Sequence, residues 1–254
     1  GFTDAGKADT HTYRWNFGDG SPPVTGTLTT THAYADNGSY TVILTVTDDD
    51  GGVGADTLVV TVNNVAPAVA AGEDQVANEG SAMGFVGRFT DPGTADTHSY
   101  SWDFGDGTPA VTGTLAPGHV YADNGAYTVT LTVTDDDGGV GSDALTVTVN
   151  NVAPTVSAGA DATINEGSLF RGAGSFVDPG ADSWTATVNY GDGSATESLV
   201  LAAEKTFNLA HVYADNGTCT VTVTVKDDDS GTGTDTLIVT VLNVAPSVSA
   251  GGDA

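Results

Sequence analysis

The chain has 254 residues, with six Lys or Arg against 33 Asp or Glu and a formal net charge of -27. Such a surface offers no basic patch to nucleic-acid phosphates or to an anionic membrane, and it attracts cations instead. Its acid is 28 Asp to five Glu, a bias toward turns and compact oxygen-ligand sites, and its single cysteine, Cys219, excludes an intrachain disulfide framework.

From the N-terminus, Phe2-Thr3-Asp4-Ala5-Gly6 leads to a strand ending in Trp15-Asn16-Phe17. Gly18-Asp19-Gly20 closes that strand in a tight turn, where glycine supplies positive φ. The block His32-x-Tyr34-Ala35-Asp36-Asn37-Gly38 opens a second strand with Tyr40, Val42, Leu44 and Val46 on one face. An acidic loop, Asp48-Asp49-Asp50, precedes a strand with Leu58, Val60 and Val62 inward, and Asn63-Asn64 begins a linker. Further along, Tyr127, Val129, Leu131 and Val133 alternate with Thr128, Thr130, Thr132 and Thr134, the period of two of a half-buried strand. No stretch carries a helical period. No apolar run approaches the roughly 18 residues of a membrane span, so direct membrane insertion is not expected.

Self-comparison sets the organisation. The FTDAG motif at Phe2 returns at Phe89 and Phe176, HxYADNG begins at His32, His119 and His211, and NVAP begins at Asn64, Asn151 and Asn243. The period fits one immunoglobulin-sized sandwich per repeat. The expected divisions are 1–63, 64–150 and 151–242, strung as beads, with 243–254 as linker and first strand of a following repeat. The first repeat lacks the N-terminal strands A and B, and the third is divergent. Gly1 shows no signal-peptide pattern, and the whole reads as a segment of something longer.

Asp36-x-Gly38-x-Tyr40 and Asp123-x-Gly125-x-Tyr127 have the form of a tyrosine corner, and Trp15 and Trp102 stand where a strand-C tryptophan fills an immunoglobulin core. WNFGDG and WDFGDG, followed by HxYADNGxYTVxLTVTDDDGG, closely resemble the polycystic-kidney-disease (PKD) domain family over nearly the whole chain. The resemblance implies an all-β fold of tandem seven-stranded immunoglobulin-like sandwiches. The third repeat departs from the pattern, with Val188 for the tryptophan, Tyr190 for the phenylalanine and Cys219 for the corner tyrosine.

In that topology the acidic loops join strands F and G, and the segments holding Asp91 and Asp178 join B and C, at the same pole as the linkers. Asn63, Asn64, Asp91, Asp135 and Asp137 are the candidate metal ligands of one junction; Asn150, Asn151, Asp178, Asp227 and Asp229 are those of the next. Hard oxygens in a flexible cluster suit Ca²⁺, and the resemblance implies calcium held by linker and loop oxygens at that pole. Glu79, in an NEG motif at the opposite pole, is placed to reach the junction with the following repeat. The alternative reading of the Asp-Asp-Asp-Gly-Gly runs is a solvated hairpin turn, for which Asp and Gly are common.

The aligned histidines His32, His119 and His211 lie in separate repeats and are expected to bond locally. The Asp of each GDG has no nucleophile or base beside it, and no catalytic constellation emerges. The leading expectation is a non-enzymatic structural array outside the cell or on its surface: a stalk, adhesin or filament subunit with Ca²⁺-stiffened junctions. Its partners are expected to be further copies of the repeat, in the same chain or by strand addition between chains. The alternative is a polysaccharide- or collagen-binding accessory module of a secreted hydrolase, for which only Trp184 offers an aromatic.

Overall fold

A computed structural model of the protein describes residues 1–249 and Gly251. All the named elements among them are strands. The first repeat contributes β1 (His11–Asn16), β2 (Val24–Thr25), β3 (Gly38–Asp48) and β4 (Val53–Val62). The second contributes β5 (Ala68–Ala70), β6 (Gln75–Asn78), β7 (Ala82–Gly84), β8 (Arg88–Thr90) and β9 (His98–Asp103), then β10 (Val111–Thr112), β11 (Gly118–Val120), β12 (Gly125–Asp135) and β13 (Val140–Asn150). The third contributes β14 (Thr155–Ser157), β15 (Ala162–Asn165), β16 (Leu169–Val177) and β17 (Trp184–Asn189), then β18 (Glu197–Leu199), β19 (Thr206–Val212), β20 (Gly217–Asp227) and β21 (Thr232–Leu242). Among the described residues no helix is long and apolar enough to cross a membrane.

The chain forms two compact units, one of residues 1–73, 84–117 and 128–145, the other of 74–83, 118–127 and 146 onward. In the first, β2-β1-β3-β4 is an antiparallel sheet with Trp15 opposite Leu44. In the same unit β9 pairs β10 and β12, which sets Trp102 opposite Leu131, and β5 pairs β8 with Val69 opposite Phe89. The alternation of β12 is a burial pattern: Val129, Leu131 and Val133 are fully buried. Trp102 is fully buried beneath Phe85, ring centroids 5.8 Å apart, and Gly87 lies against its six-membered ring. Trp15, expected to fill a core in the same way, stacks on Phe17 and remains half-buried.

The second unit holds a sandwich of two sheets, β14-β16-β19 and β15-β21-β20-β17-β18. Between them pack Phe170, Val188, Tyr190, Leu209, Val221 and Leu237. Val188 and Tyr190 therefore occupy the core in place of the tryptophan and phenylalanine. The corner hydrogen bond is present where the tyrosine is, Tyr40 and Tyr127 each donating to the backbone carbonyl of Asp36 or Asp123 at 2.9 Å.

The strand that enters a repeat divides itself between two partners. In the third repeat β14 runs antiparallel to β16, and β15 then runs parallel to β21. In the second, β5 pairs β8 and β6 runs parallel to β13. Residues 243–249, the segment expected to start another repeat, form no strand; Ala250 and Gly252–Ala254 lie outside the described residues.

Candidate cation sites at the repeat junctions

Each linker is tied to the acidic loop of the repeat it enters. Asp135 Oδ1 accepts the backbone N–H groups of Asp137 and Gly139, and its Oδ2 accepts Asn64 Nδ2 at 2.9 Å. Asp227 does the same with Gly231 N–H and with Asn151 Nδ2 at 3.0 Å. The middle aspartate of each run fastens a second loop: Asp49 accepts Thr10 N–H, Asp136 accepts Thr97 N–H, and Asp228 accepts both Ser183 N–H and its hydroxyl. Asp91 takes Gly93 N–H and pairs with His98, while Asp178 takes Gly180 N–H and Trp184 Nε1–H. Most of the expected ligands thus meet at the junctions, and their carboxylates already accept hydrogen bonds; Asn64 and Asn151 turn their NH₂ groups toward the loops, and Asn151 Oδ1 is buried without a partner. Asn63, Asp137 and Asp229 are exposed, and Asn150 Nδ2 lies 3.5 Å from Asn78 Oδ1.

Free carboxylate oxygens gather one step away. Glu79, Asp123 and Asp182 bring a carboxylate oxygen each within 4.8 Å of one another. Glu79 is 1% exposed; its Oε1 accepts Val152 N–H at 2.7 Å, and its Oε2 has no partner. Asp182 is buried, and no donor reaches either of its oxygens. Its contact with Asp178 becomes a hydrogen bond only when one of the two carboxyls holds a proton. Burial first, then the charges of Glu79 and Asp178, push the Asp182 carboxyl up to about 7, and burial also raises Glu79. The site is braced by a backbone bond between consecutive repeats, Ala181 N–H to the Ala122 carbonyl at 2.8 Å.

The preceding junction repeats this plan. Asp36, Asp96 and Asp137 converge, as do Asp91, Asp96 and Asp135. Both oxygens of Asp96 are buried without a partner, and burial and then Asp91 raise its carboxyl. Ala95 N–H donates to the Ala35 carbonyl at 3.0 Å, the counterpart of the Ala181 bond. Buried, unbonded carboxylates are costly unless a proton or a cation joins them. An all-oxygen donor set without sulfur or imidazole is the chemistry of a hard cation.

Sequence reasoning missed Asp36, Asp96, Asp123 and Asp182. Their signal was positional: Asp96 and Asp182 recur before the strand holding the core aromatic, and Asp36 and Asp123 recur in ADNG, where the tyrosine corner already accounted for them.

The histidines have local duties. His32 binds Asp19 at 2.6 Å and His211 binds Asp192 at 2.7 Å, each aspartate being that of the GDG turn in its own repeat. Ser21 donates to the other oxygen of Asp19. Asp stands between Ser and His there, whereas nucleophilic catalysis needs His between the other two. Trp184 lies under the Lys205 ammonium, 3.9 Å from the ring centroid, so it presents no open platform.

These repeats of strand, GDG turn, tyrosine corner and acidic loop are accounted for by one family. The PKD-domain profile matches residues 1–62, 64–149 and 151–241. The chain belongs to the PKD-domain family. Solved structures of tandem β-domains resemble it at low identity. A tetra-tandem repeat in the extending region of a large adhesion protein is 19% identical over 92% of this chain and 67% of that one, with a TM-score of 0.46. The I67-I69 fragment of the titin I-band is 10% identical over 92% of this chain and 88% of its own, with a TM-score of 0.41. Fibronectin(III)-like modules of Clostridium thermocellum CbhA are 15% identical over 70% and 94%, with a TM-score of 0.29. Likenesses of this degree reach no further than the all-β fold.

Proposed function

We propose that this tandem PKD array is a structural spacer working outside the cell or on its surface, with Ca²⁺ locking its repeat junctions. The observation that carries the reading is the pairing of Glu79 with Asp182. Two buried carboxylates from consecutive repeats present three oxygens without a hydrogen-bond partner. Each is raised toward protonation by burial. With Asp123 they form an oxygen cluster that a divalent cation would neutralise, joining one repeat to the next. Asp96, with Asp36 and Asp137, serves the preceding junction in the same way.

Binding belongs to the weak extracellular class, with a dissociation constant on the order of 10⁻⁴–10⁻³ M. Calorimetric titration of the whole chain with CaCl₂, and thermal unfolding in Ca²⁺, Mg²⁺ and chelator, test it. Saturable Ca²⁺ binding with a higher melting temperature is expected, and Glu79→Gln with Asp182→Asn abolishes one class of sites. A melting temperature the same in Ca²⁺ and in chelator refutes the reading.

A further inference from the structure

The third repeat closes the segment that carries Asp182 in its own way. In the second repeat the corresponding segment, between β8 and β9, is closed by a histidine, His98 Nε2 lying 3.0 Å from Asp91 Oδ2. The third has Trp184 at that position, and its Nε1–H reaches Asp178 Oδ2 at 3.1 Å. The Trp184 ring packs on Phe176, centroids 5.5 Å apart, and carries the Lys205 ammonium over its face, 3.9 Å from the centroid. Lys205 grips the same stretch twice more. Its Nζ donates to the Asp178 carbonyl at 2.8 Å, and its own carbonyl accepts Phe176 N–H at 2.9 Å.

Lys205 comes from a stretch that is longer in the third repeat. Between the last glycine of GDG and the histidine of HxYADNG, that repeat runs from Gly193 to His211, the second only from Gly107 to His119. The longer stretch makes the turn between β18 and β19, tied by Lys205 N–H to the Ala202 carbonyl at 3.0 Å and by Ala202 N–H to the Thr206 carbonyl at 2.9 Å. Lys205 itself takes a φ of 57°, a left-handed conformation that favours glycine. Glycine would serve the turn alone better. A lysine held against that preference points to a use for its side chain.

The gripped segment, residues 178–183, is the one that meets Glu79. Pro179 lies so close to Gly80 that a Cβ on that glycine would meet Pro179 Cβ at 2.7 Å. A Cβ on Gly180 would strike the carboxylates of Asp182 and Glu79. The segment therefore has no slack beside Glu79, and a shift of its Asp178 end carries Asp182 with it. We infer that Lys205 is a positioning residue for the Glu79–Asp182 site: its ammonium, seated on Trp184 and the Asp178 carbonyl, holds residues 178–183 in the geometry that brings the two carboxylates together. The consequence for cation binding rests on the Ca²⁺ reading; the hold on the segment does not.

The test uses the whole chain with Lys205→Gly, which relieves the turn and deletes the ammonium, and with Lys205→Arg as the conservative variant. Amide hydrogen exchange in chelator reads the hold directly. The N–H groups of Ala181 and Ser183, bonded to the Ala122 carbonyl and to Asp228, are expected to exchange about tenfold faster in Lys205→Gly. Those of β20 and β21 keep their protection, which shows that the variant is folded, and Lys205→Arg stays near wild type. Titration with CaCl₂ then reads the site. Lys205→Gly is expected to weaken the Glu79–Asp182 class of binding by about tenfold, as loss of a supporting residue does at metal sites, and to leave the preceding junction unchanged. Unaltered exchange at Ala181 and Ser183 in the glycine variant overturns the inference, whatever calcium does. Faster exchange with unaltered Ca²⁺ affinity also overturns it, since the segment would then move without disturbing the site. A wild type that binds no Ca²⁺, with exchange still faster in the variant, refutes the Ca²⁺ reading and leaves Lys205 as the brace of this segment.

Discussion

Asp182→Asn separates the two roles of a buried junction carboxylate by changing sign with calcium. In chelator at pH 8 the wild-type carboxylate is ionised, buried and unbonded. Its carboxyl stands at about 7 against an ordinary 3.8, so the folded state holds the proton more tightly than the unfolded chain does. A group raised in this way lends stability below its folded value and loses it as pH climbs toward 7. At about 1.4 kcal/mol for each tenfold change in proton affinity, the rise from 3.8 to about 7 sets a ceiling near 4 kcal/mol. Water at the junction and relaxation of the loops reduce this, and about 1–2 kcal/mol is the working figure. A neutral amide removes that penalty. Asp182→Asn in chelator is therefore expected to raise the melting temperature of the third repeat at pH 8, by about 4–8 °C per kcal/mol. The gain shrinks as pH falls to 5.5 and vanishes only toward the ordinary 3.8, where the carboxyl of the unfolded chain is protonated as well. Saturating Ca²⁺ reverses the order at pH 8, since the amide gives up the charge that holds the ion. Calorimetry of both proteins at the two pH values, with and without Ca²⁺, reads all of this. A variant less stable than wild type in chelator at pH 8 would mean that Asp182 makes a stabilising bond, and the argument fails.

Trp102→Ala is expected to cost roughly 3–5 kcal/mol in the second repeat, while Trp15→Ala, starting half-buried, costs well under that; denaturant unfolding with tryptophan fluorescence distinguishes them. Gly141→Val drives a side chain into the Pro67 carbonyl and Val69, at about 1–3 kcal/mol, whereas Gly54→Val, at the matching place in the first repeat, leaves the melting curve unchanged. Tyr127→Phe removes the corner bond to the Asp123 carbonyl and is expected to cost about 1 kcal/mol by urea titration.

What was legible in the sequence followed from properties that a residue carries with it. Val129, Leu131 and Val133 alternate with threonine because one face of a strand is buried and the other is not, and that pattern is local. The tyrosine corner and the GDG turn are also local, closing within four residues. The exchange of Trp102 and Phe104 for Val188 and Tyr190 kept the core because both replacements stay apolar, and the structure buries them fully. Trp15 shows where such reasoning stops. Its own strand is the same as that of Trp102, but burial is decided by the layer opposite, which belongs to another stretch of sequence.

The candidate site was harder to read for a related reason. An aspartate is the same letter whether its oxygens are saturated by backbone N–H groups or left bare. In the Asp135 loop a tight turn aims two N–H groups at one carboxylate, so the most conspicuous acidic run spends its charge on holding the loop and the linker. Asp182 is a single acid in an unremarkable stretch, Ala181-Asp182-Ser183, and the neighbouring N–H groups go elsewhere: Ala181 N–H to the Ala122 carbonyl, Ser183 N–H to Asp228. Those two bonds hold the segment in place while leaving its carboxylate without a donor beside Glu79. On the proposed reading, affinity for a cation resides where the fold has withheld hydrogen bonds rather than in the loop with the most aspartates. The comparison that isolates this is Asp137→Asn against Asp96→Asn at the preceding junction. Asp137 is exposed, whereas Asp96 is half-buried with both of its oxygens buried and bare, so the Asp96 change should weaken Ca²⁺ binding by the larger factor in a calorimetric titration. Equal losses from the two would show that charge near the junction, rather than unsatisfied oxygens, governs the ion.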